Sequence, residues 1–110
     1  MILLDKLSKE YKDKLVEMIN RVLALDGIDS QYGAIHEEMG ELHAAINQFR
    51  RGRVTREDFL EEIVDVAMML EEFLILLKIH PAEWNSMLEK KLNVFDSKIK
   101  EREENKRDRC

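Results

Sequence analysis

Residues 34–42 read AIHEEMGEL and residues 60–66 read LEEIVDV, and these two stretches decide the fold. Each places two acidic residues three positions apart inside an apolar segment. These acidic residues are Glu38, Glu41, Glu62 and Asp65. Apolar residues recur every three or four positions around both pairs, which is the pattern of a helix with one buried face. Two such helices, packed antiparallel through their apolar faces, would bring the four carboxylates together.

Converging carboxylates require an explanation, because like charges repel and half-buried anions are costly unless a cation neutralises them. A ligand set made only of carboxylate oxygens suits Mg²⁺, with Mn²⁺ as an alternative. The spacing alone is common in a chain with 23 acidic residues among 110. Only these two pairs flank long apolar faces away from helix ends. We therefore weigh a metal site against a solvated acidic helix face.

The composition is that of a small helical protein. Charged residues make up 37% of the chain, and there are only four Gly and one Pro. Few turn-forming residues and many charged ones indicate long helices. We predict an all-α fold in a single domain over residues 1–100, followed by a charged tail, residues 101–110, that frays into solvent.

Apolar spacing and end signals predict four helices. They span about residues 5–25, 31–51 and 56–78, and the fourth begins at Pro81. Asp26-Gly27 is a stop signal, and Asp29-Ser30 is a candidate N-cap for the second helix. Thr55 and Asp58 resemble a capping box at the start of the third. Gly40 lies in the middle of the second helix, where we expect it to admit a close neighbour.

The third predicted helix is apolar on more than one side. Beside its main face it carries a second apolar set, which is Leu60, Val64, Ala67, Met68, Leu74 and Ile75. One hairpin partner cannot cover both faces, so another helix and a second subunit are required. We therefore predict a homo-oligomer, either a homodimer or a homotetramer.

Charge and composition also exclude several classes of partner. The net charge of −5 argues against nucleic acid, whose phosphates need a basic surface. No stretch approaches the roughly 18 apolar residues of a membrane span, and the apolar start of the chain is too short for a signal peptide. The only cysteine, Cys110, cannot form an intrachain disulfide and fits a reducing cytosol. We expect a cytoplasmic protein without a membrane partner.

The two motifs together resemble those of a known family. EEMGEL at 37–42 and EEIVDVAMML at 61–70, with 20 residues between Glu41 and Glu62, resemble the all-α nucleoside triphosphate pyrophosphohydrolases of the MazG-like superfamily. The resemblance covers residues 30–100. It implies a four-helix-bundle-like fold that assembles as a homodimer or a dimer of dimers. It also implies Mg²⁺-dependent cleavage of a nucleoside triphosphate to the monophosphate and pyrophosphate, as in clearance of the nucleotide pool.

The resemblance implies roles for individual residues. The metal-ligand positions fall on Glu38, Glu41, Glu62 and Asp65. Glu38 is also a catalytic candidate together with Glu37, which precedes the first pair and can orient water, as Glu61 can beside the second pair. Contacts to substrate phosphate are implied for Lys90, Lys91 and Asn93 on the last helix.

The turn between the two motifs is basic, and its role stays open at the level of sequence. Arg50 and Arg53 stand in the run Arg-Arg-Gly-Arg that links the second and third predicted helices. Guanidinium groups bind phosphate oxygens in bidentate fashion, so these residues are candidates for substrate binding. They are equally compatible with a solvated loop.

Three alternatives compete with this interpretation. A di-iron carboxylate bundle requires Glu-x-x-His on two helices, and none of His36, His43 and His80 has Glu three residues before it. A non-catalytic helical module that dimerises or binds a partner helix would leave the carboxylates as surface features. A phosphoribosyl-ATP pyrophosphohydrolase-type activity would keep the chemistry and change the substrate.

Overall fold

The computed structural model describes residues 1–109, which form three helices and no strand. The helices are α1 (Lys9–Arg50), α2 (Arg56–Leu76) and α3 (Pro81–Asp108). The predicted all-α class is confirmed. The chain divides into two compact units, Met1–Leu77 with α1 and α2, and a second that begins at Lys78 and contains α3. Along residues 1–109 no helix combines the length and the apolar character needed to span a membrane.

The predicted break at Asp26-Gly27 coincides with a kink inside α1, where the backbone of Gly27 is not helical. Gly27 has φ 78° and ψ 170°, a combination that is accessible essentially to glycine alone. Helical structure lies on both sides of Gly27, so α1 consists of two helical segments that meet at this kink. The side chain of Ser30, predicted as an N-cap, instead donates a 2.8 Å hydrogen bond to the carbonyl oxygen of Gly27. Residues 1–109 therefore hold three helices, and the predicted first and second helices are the two segments of α1 on either side of its kink.

Capping residues determine where α2 begins, as the sequence predicts. The Asp58 N–H donates to Thr55 Oγ1 at 3.0 Å, and the Thr55 N–H donates to Asp58 Oδ2 at 2.9 Å. This reciprocal pair satisfies two backbone donors that the first turn would otherwise leave free. Pro81 occupies the first turn of α3, also as predicted. The first helix differs, since it begins at Lys9 and not at Asp5.

The segment of α1 that follows Gly27 packs against α2, and together they form an antiparallel hairpin within the first unit. Aromatic pairs mark its two ends. Tyr32 and Phe73 stack with ring centroids 5.4 Å apart, and Phe49 meets Phe59 edge to face at 5.0 Å. The five-residue turn 51–55 joins the helices and contains Gly52 at φ 69°. The antiparallel hairpin is the predicted one, but the predicted packing faces are covered only in part, since Met39, Ile63 and Leu70 are exposed.

Few of residues 1–109 are buried, and half of these are polar. The apolar ones are Leu15, Ile19 and Ile35, and the polar ones are Gln31, Glu71 and Glu72. Many large apolar side chains are exposed in the single chain, among them Leu60, Val64 and Met68 on the second face of α2. Ala67, Leu74 and Ile75 of the same face are half-buried, so the hairpin leaves that face partly uncovered.

Gly40 does not have the close neighbour that the sequence suggested. A Cβ placed on Gly40 would meet no atom within 4 Å outside its own helix. Within the single chain this prediction is wrong, because the residue faces open space and not a packed helix.

Candidate metal centre

The four acidic residues of the two motifs come together on the hairpin. One carboxylate oxygen from each residue lies within 4.8 Å of those of the other three, for Glu38, Glu41, Glu62 and Asp65. The spacing of three residues places both members of a pair on one side of their helix. Because α1 and α2 run antiparallel, the two pairs then face each other across the hairpin. We call these four residues the carboxylate cluster.

The carboxylate cluster is partly shielded from solvent. Glu41 is exposed, whereas Glu38, Glu62 and Asp65 are half-buried. Oε2 of Glu38 and Oε2 of Glu62 are both inaccessible and accept no hydrogen bond. A buried carboxylate oxygen without a donor is costly, and native structures almost always satisfy such atoms. The two oxygens are therefore in an environment that calls for a cation.

Electrostatics within the cluster agree with this view. Burial, followed by the neighbouring carboxylates of Glu41 and Asp65, raises the pKa of Glu38. The same causes in the same order raise the pKa of Glu62. In both cases losing the proton would add another negative charge to a site that already holds several. A divalent cation would remove this penalty.

The donor set of the cluster fits a hard divalent cation. It consists of four carboxylates, and oxygen-only ligand sets favour Mg²⁺ or Mn²⁺ over softer metals. His36 and His43 lie on α1 as exposed residues outside the cluster. The Glu/His ligand set of a di-iron bundle is therefore not assembled at this position.

The other predicted site residues of the first unit are near the cluster residues in the sequence but are not members of the cluster. Glu37 and Glu61 each precede a clustered residue and are exposed. Arg50 is the last residue of α1, and Arg53 lies in the turn, where its backbone N–H donates to the Gln48 carbonyl oxygen at 2.9 Å. Both arginine side chains are exposed. Their assignment to substrate stays a prediction.

The candidate phosphate contacts of the last helix belong to the second unit. Lys90, Lys91 and Asn93 lie in α3 and are exposed. Their proposed role stays a prediction that depends on sequence resemblance.

A buried polar pair on the same hairpin was missed by the sequence reasoning. Gln31 and Glu72 are only 6% and 3% exposed. With its amide nitrogen directed at Glu72, Gln31 Nε2 donates to both carboxylate oxygens, at 2.9 and 3.0 Å. Burial raises the pKa of Glu72. A signal existed, because Gln31 is seven residues before Glu38 and Glu72 is seven residues after Asp65, which places each on the same helix face as its cluster member.

A second buried carboxylate serves the fold. Glu71 is fully buried, and its Oε1 accepts from the Ile2 N–H at 2.7 Å while its Oε2 accepts from the Leu3 N–H at 3.1 Å. These bonds attach the N-terminal segment to α2. Glu71 therefore has a structural role that leaves it outside the cluster.

Comparison with known proteins adds no relative to this picture. The chain matches no protein-family model, no curated protein and no solved structure. The geometry and chemistry of the carboxylate cluster are therefore the structural basis for inferring a function.

Proposed function

We propose that this chain is a Mg²⁺-dependent nucleoside triphosphate pyrophosphohydrolase of the MazG-like type. The observation that carries the proposal is the convergence of four carboxylates, two of which hold a buried oxygen without a hydrogen-bond donor. The reaction converts a ribo- or deoxyribonucleoside triphosphate and water into the monophosphate and pyrophosphate. Removal of unwanted nucleotides from the cytoplasmic pool is the role that follows.

The chemistry suits the residues of the cluster. Phosphoryl-group reactions depend on positioning and on neutralising charge more than on a protein nucleophile. Mg²⁺ at this position would supply Lewis-acid polarisation of a phosphate oxygen. Glu38 and Glu41 would hold it from α1, and Glu62 and Asp65 from α2. Glu37, exposed beside Glu38, would accept a proton from the attacking water and orient it.

Basic side chains would bind the remaining phosphates. Arg50 and Arg53 lie at the end of α1 and in the turn, and guanidinium forks match phosphate oxygens. Lys90, Lys91 and Asn93 are the corresponding candidates on α3. Replacement of a true phosphate contact would raise KM for every nucleotide alike, since phosphate carries no base identity.

We assign the exposed apolar side chains to a subunit interface. Leu60, Val64 and Met68 form an exposed apolar row on α2, and exposed patches of this kind mark interaction sites. A homodimer or a dimer of dimers, with helices of two chains completing a four-helix-bundle core, would cover them. Sedimentation velocity of the native chain and of Val64→Lys tests this, with dissociation of the variant as the expected result.

The experiment that tests the activity is pyrophosphate release from a panel of nucleoside triphosphates and phosphoribosyl-ATP, with and without Mg²⁺. We expect Mg²⁺-dependent release by the native chain and its loss in Glu38→Gln and Asp65→Asn. Glu104→Gln is the matched control, because Glu101 and Glu104 have the same three-residue spacing on exposed α3. This control should retain full activity.

The exposed apolar faces favour one competing function, a non-catalytic module that binds a partner helix. It predicts no turnover of any substrate and no change of melting temperature on adding Mg²⁺. Both observations together would replace the enzymatic proposal by this one.

A further inference from the structure

Three polar residues of the first unit are buried, and two of them form a pair whose burial has no structural explanation. Glu71 satisfies two backbone N–H groups, so its burial is accounted for. Gln31 and Glu72 contact each other, and neither is needed to satisfy the backbone in this way. Replacing such a buried polar pair by apolar side chains of similar volume is often neutral or stabilising. The fold alone therefore gives no reason for an amide and a carboxyl group at this place.

The pair is aligned with the carboxylate cluster. Seven residues separate Gln31 from Glu38 on α1, and seven separate Asp65 from Glu72 on α2. Two side chains seven residues apart on a helix point in directions that differ by only about 20°, and they are about 10 Å apart along the helix axis. The cluster and the pair thus lie along one side of the hairpin, at a separation comparable with the reach of a nucleotide from its phosphate to the edge of its base.

Between the carboxylate cluster and the Gln31–Glu72 pair, α1 carries a small side chain. Ala34 lies four residues before Glu38 and Met69 four residues after Asp65, and both are half-buried. Ala34 offers only a methyl group, and Met69 has a flexible side chain that adapts to irregular surfaces. A sugar ring lying over these residues would connect the two ends.

We propose that Gln31 and Glu72 form the base-recognition end of the site whose phosphate end is the carboxylate cluster, and that they select bases carrying an exocyclic amino group. This rests on the proposed nucleotide pyrophosphohydrolase function. A carboxyl oxygen of Glu72 accepts a hydrogen bond from an amino group on the base. The amide of Gln31 supplies one donor and one acceptor to the neighbouring ring atoms.

The donors and acceptors of Gln31 and Glu72 also explain why a base with an oxo group in place of the amino group is rejected. With its nitrogen directed at Glu72, the amide of Gln31 donates to both carboxylate oxygens, so the carboxylate is satisfied in the free protein. An amino-bearing base exchanges this bond for its own, and no buried group is left without a partner. An oxo group in the same place brings an acceptor against the carboxyl oxygen, and a buried polar group without a partner is strongly unfavourable.

Each member of the pair is followed in the sequence by an aromatic residue. Tyr32 and Phe73, the next residue on each helix, stack with centroids 5.4 Å apart, and the Tyr32 side chain is exposed.

The test compares substrates that differ only in this group. The probes are ATP against ITP and CTP against UTP, and the measured quantity is the ratio of kcat/KM within each pair. We expect the native chain to favour the amino member by about tenfold or more. Gln31→Met and Glu72→Met should bring the ratio towards one. Glu71→Gln, which changes the neighbouring buried carboxylate, is the matched control and should keep the native ratio.

The outcomes separate the two proposals. Turnover by the native chain with the same amino-to-oxo ratio in all variants would overturn base recognition and leave the activity standing. Absence of turnover by the native chain would remove the function and this inference together. Should the Met variants fail to fold, the native chain still decides the matter through NMR. Addition of AMP with Mg²⁺ should shift the Gln31 side-chain amide resonance more than IMP does, and equal or absent shifts would overturn the proposal.

Discussion

Oε1 of the fully buried Glu71 accepts a 2.7 Å hydrogen bond from the backbone N–H of Ile2, 69 positions earlier in the chain. Its other oxygen accepts from Leu3. Glu71→Ala should therefore lower the free energy of unfolding by about 1–3 kcal/mol, because two backbone donors lose a buried acceptor. Urea unfolding measures the loss, and hydrogen exchange should show faster exchange at the amides of Ile2 and Leu3. Unchanged exchange at both would contradict the contact.

Mg²⁺ should stabilise the native chain and not a variant of the cluster. Ligands that bind only the folded state raise its stability by mass action, so the melting temperature should rise with Mg²⁺ concentration. In Glu41→Gln this rise should be lost, while the Mg²⁺-free variant should melt at or above the native temperature because one of four like charges is removed. Differential scanning calorimetry measures both effects. Glu101→Gln is the control, and an equal loss there would argue against a specific site.

Because of Glu72, the free energy of unfolding should decrease as pH rises. Burial raises the pKa of this carboxyl above its ordinary value of 4.5, so the folded state binds the proton more tightly than the unfolded state. Its contribution to stability is thus complete below pH 4.5 and is lost as pH rises through the folded pKa. Relative to Glu72→Gln, the native chain should lose stability as pH increases over that range. A difference between the two that is independent of pH would contradict the assignment.

The capping box at the start of α2 should be measurable in isolation. Thr55→Ala removes the side-chain acceptor of the Asp58 N–H and should cost about 1 kcal/mol, whereas Thr55→Ser should cost little. The backbone and side chain of Thr55 lower the pKa of Asp58. The stabilisation by Asp58 is therefore present above its ordinary pKa of 3.8 and is lost as pH falls through the lowered value. The difference between native and Asp58→Asn stability should shrink accordingly in acid.

Two glycines should respond oppositely to the same substitution. A Cβ at Gly27 or at Gly40 meets no atom within 4 Å, so steric contact does not distinguish them. Gly27→Ala should cost about 1–3 kcal/mol because φ 78° with ψ 170° is unfavourable for alanine. Gly40→Ala should raise the free energy of unfolding by up to about 1 kcal/mol, because alanine has the higher helix propensity. Urea unfolding of both variants measures the contrast. A loss at Gly40 would mean that another subunit approaches it closely.

The parts of the structure that the sequence predicts are those governed by local periodicity. The three-residue spacing within each acidic pair, the apolar faces and the Thr55–Asp58 capping box each depend on residues within one or two helical turns. These features predicted the hairpin and the meeting of its four carboxylates. The break in α1 was located correctly at Gly27, whose backbone is not helical, but a second helical segment follows it directly and not after a loop.

The parts that the sequence did not predict depend on distant partners. Glu71 and Glu72 follow one another in a helix rich in acidic residues, and nothing local shows that both are buried. One of them meets Ile2 and the other meets Gln31, so their partners become evident only when the chain is folded. The spacing of seven residues from the cluster was present in the sequence, but a glutamine is too common a helix residue for that spacing to be noticed.

The five-residue turn between α1 and α2 also restricts how the chain can vary in length. One residue inserted in α1 after Glu41, or in α2 before Glu62, would rotate that pair by about 100° and shift it about 1.5 Å along its helix. Two carboxylates would then leave the side of the hairpin that the other two occupy. A residue inserted within 51–55 would lengthen only the loop. Between Glu41 and Glu62, insertions compatible with the cluster therefore belong in the turn.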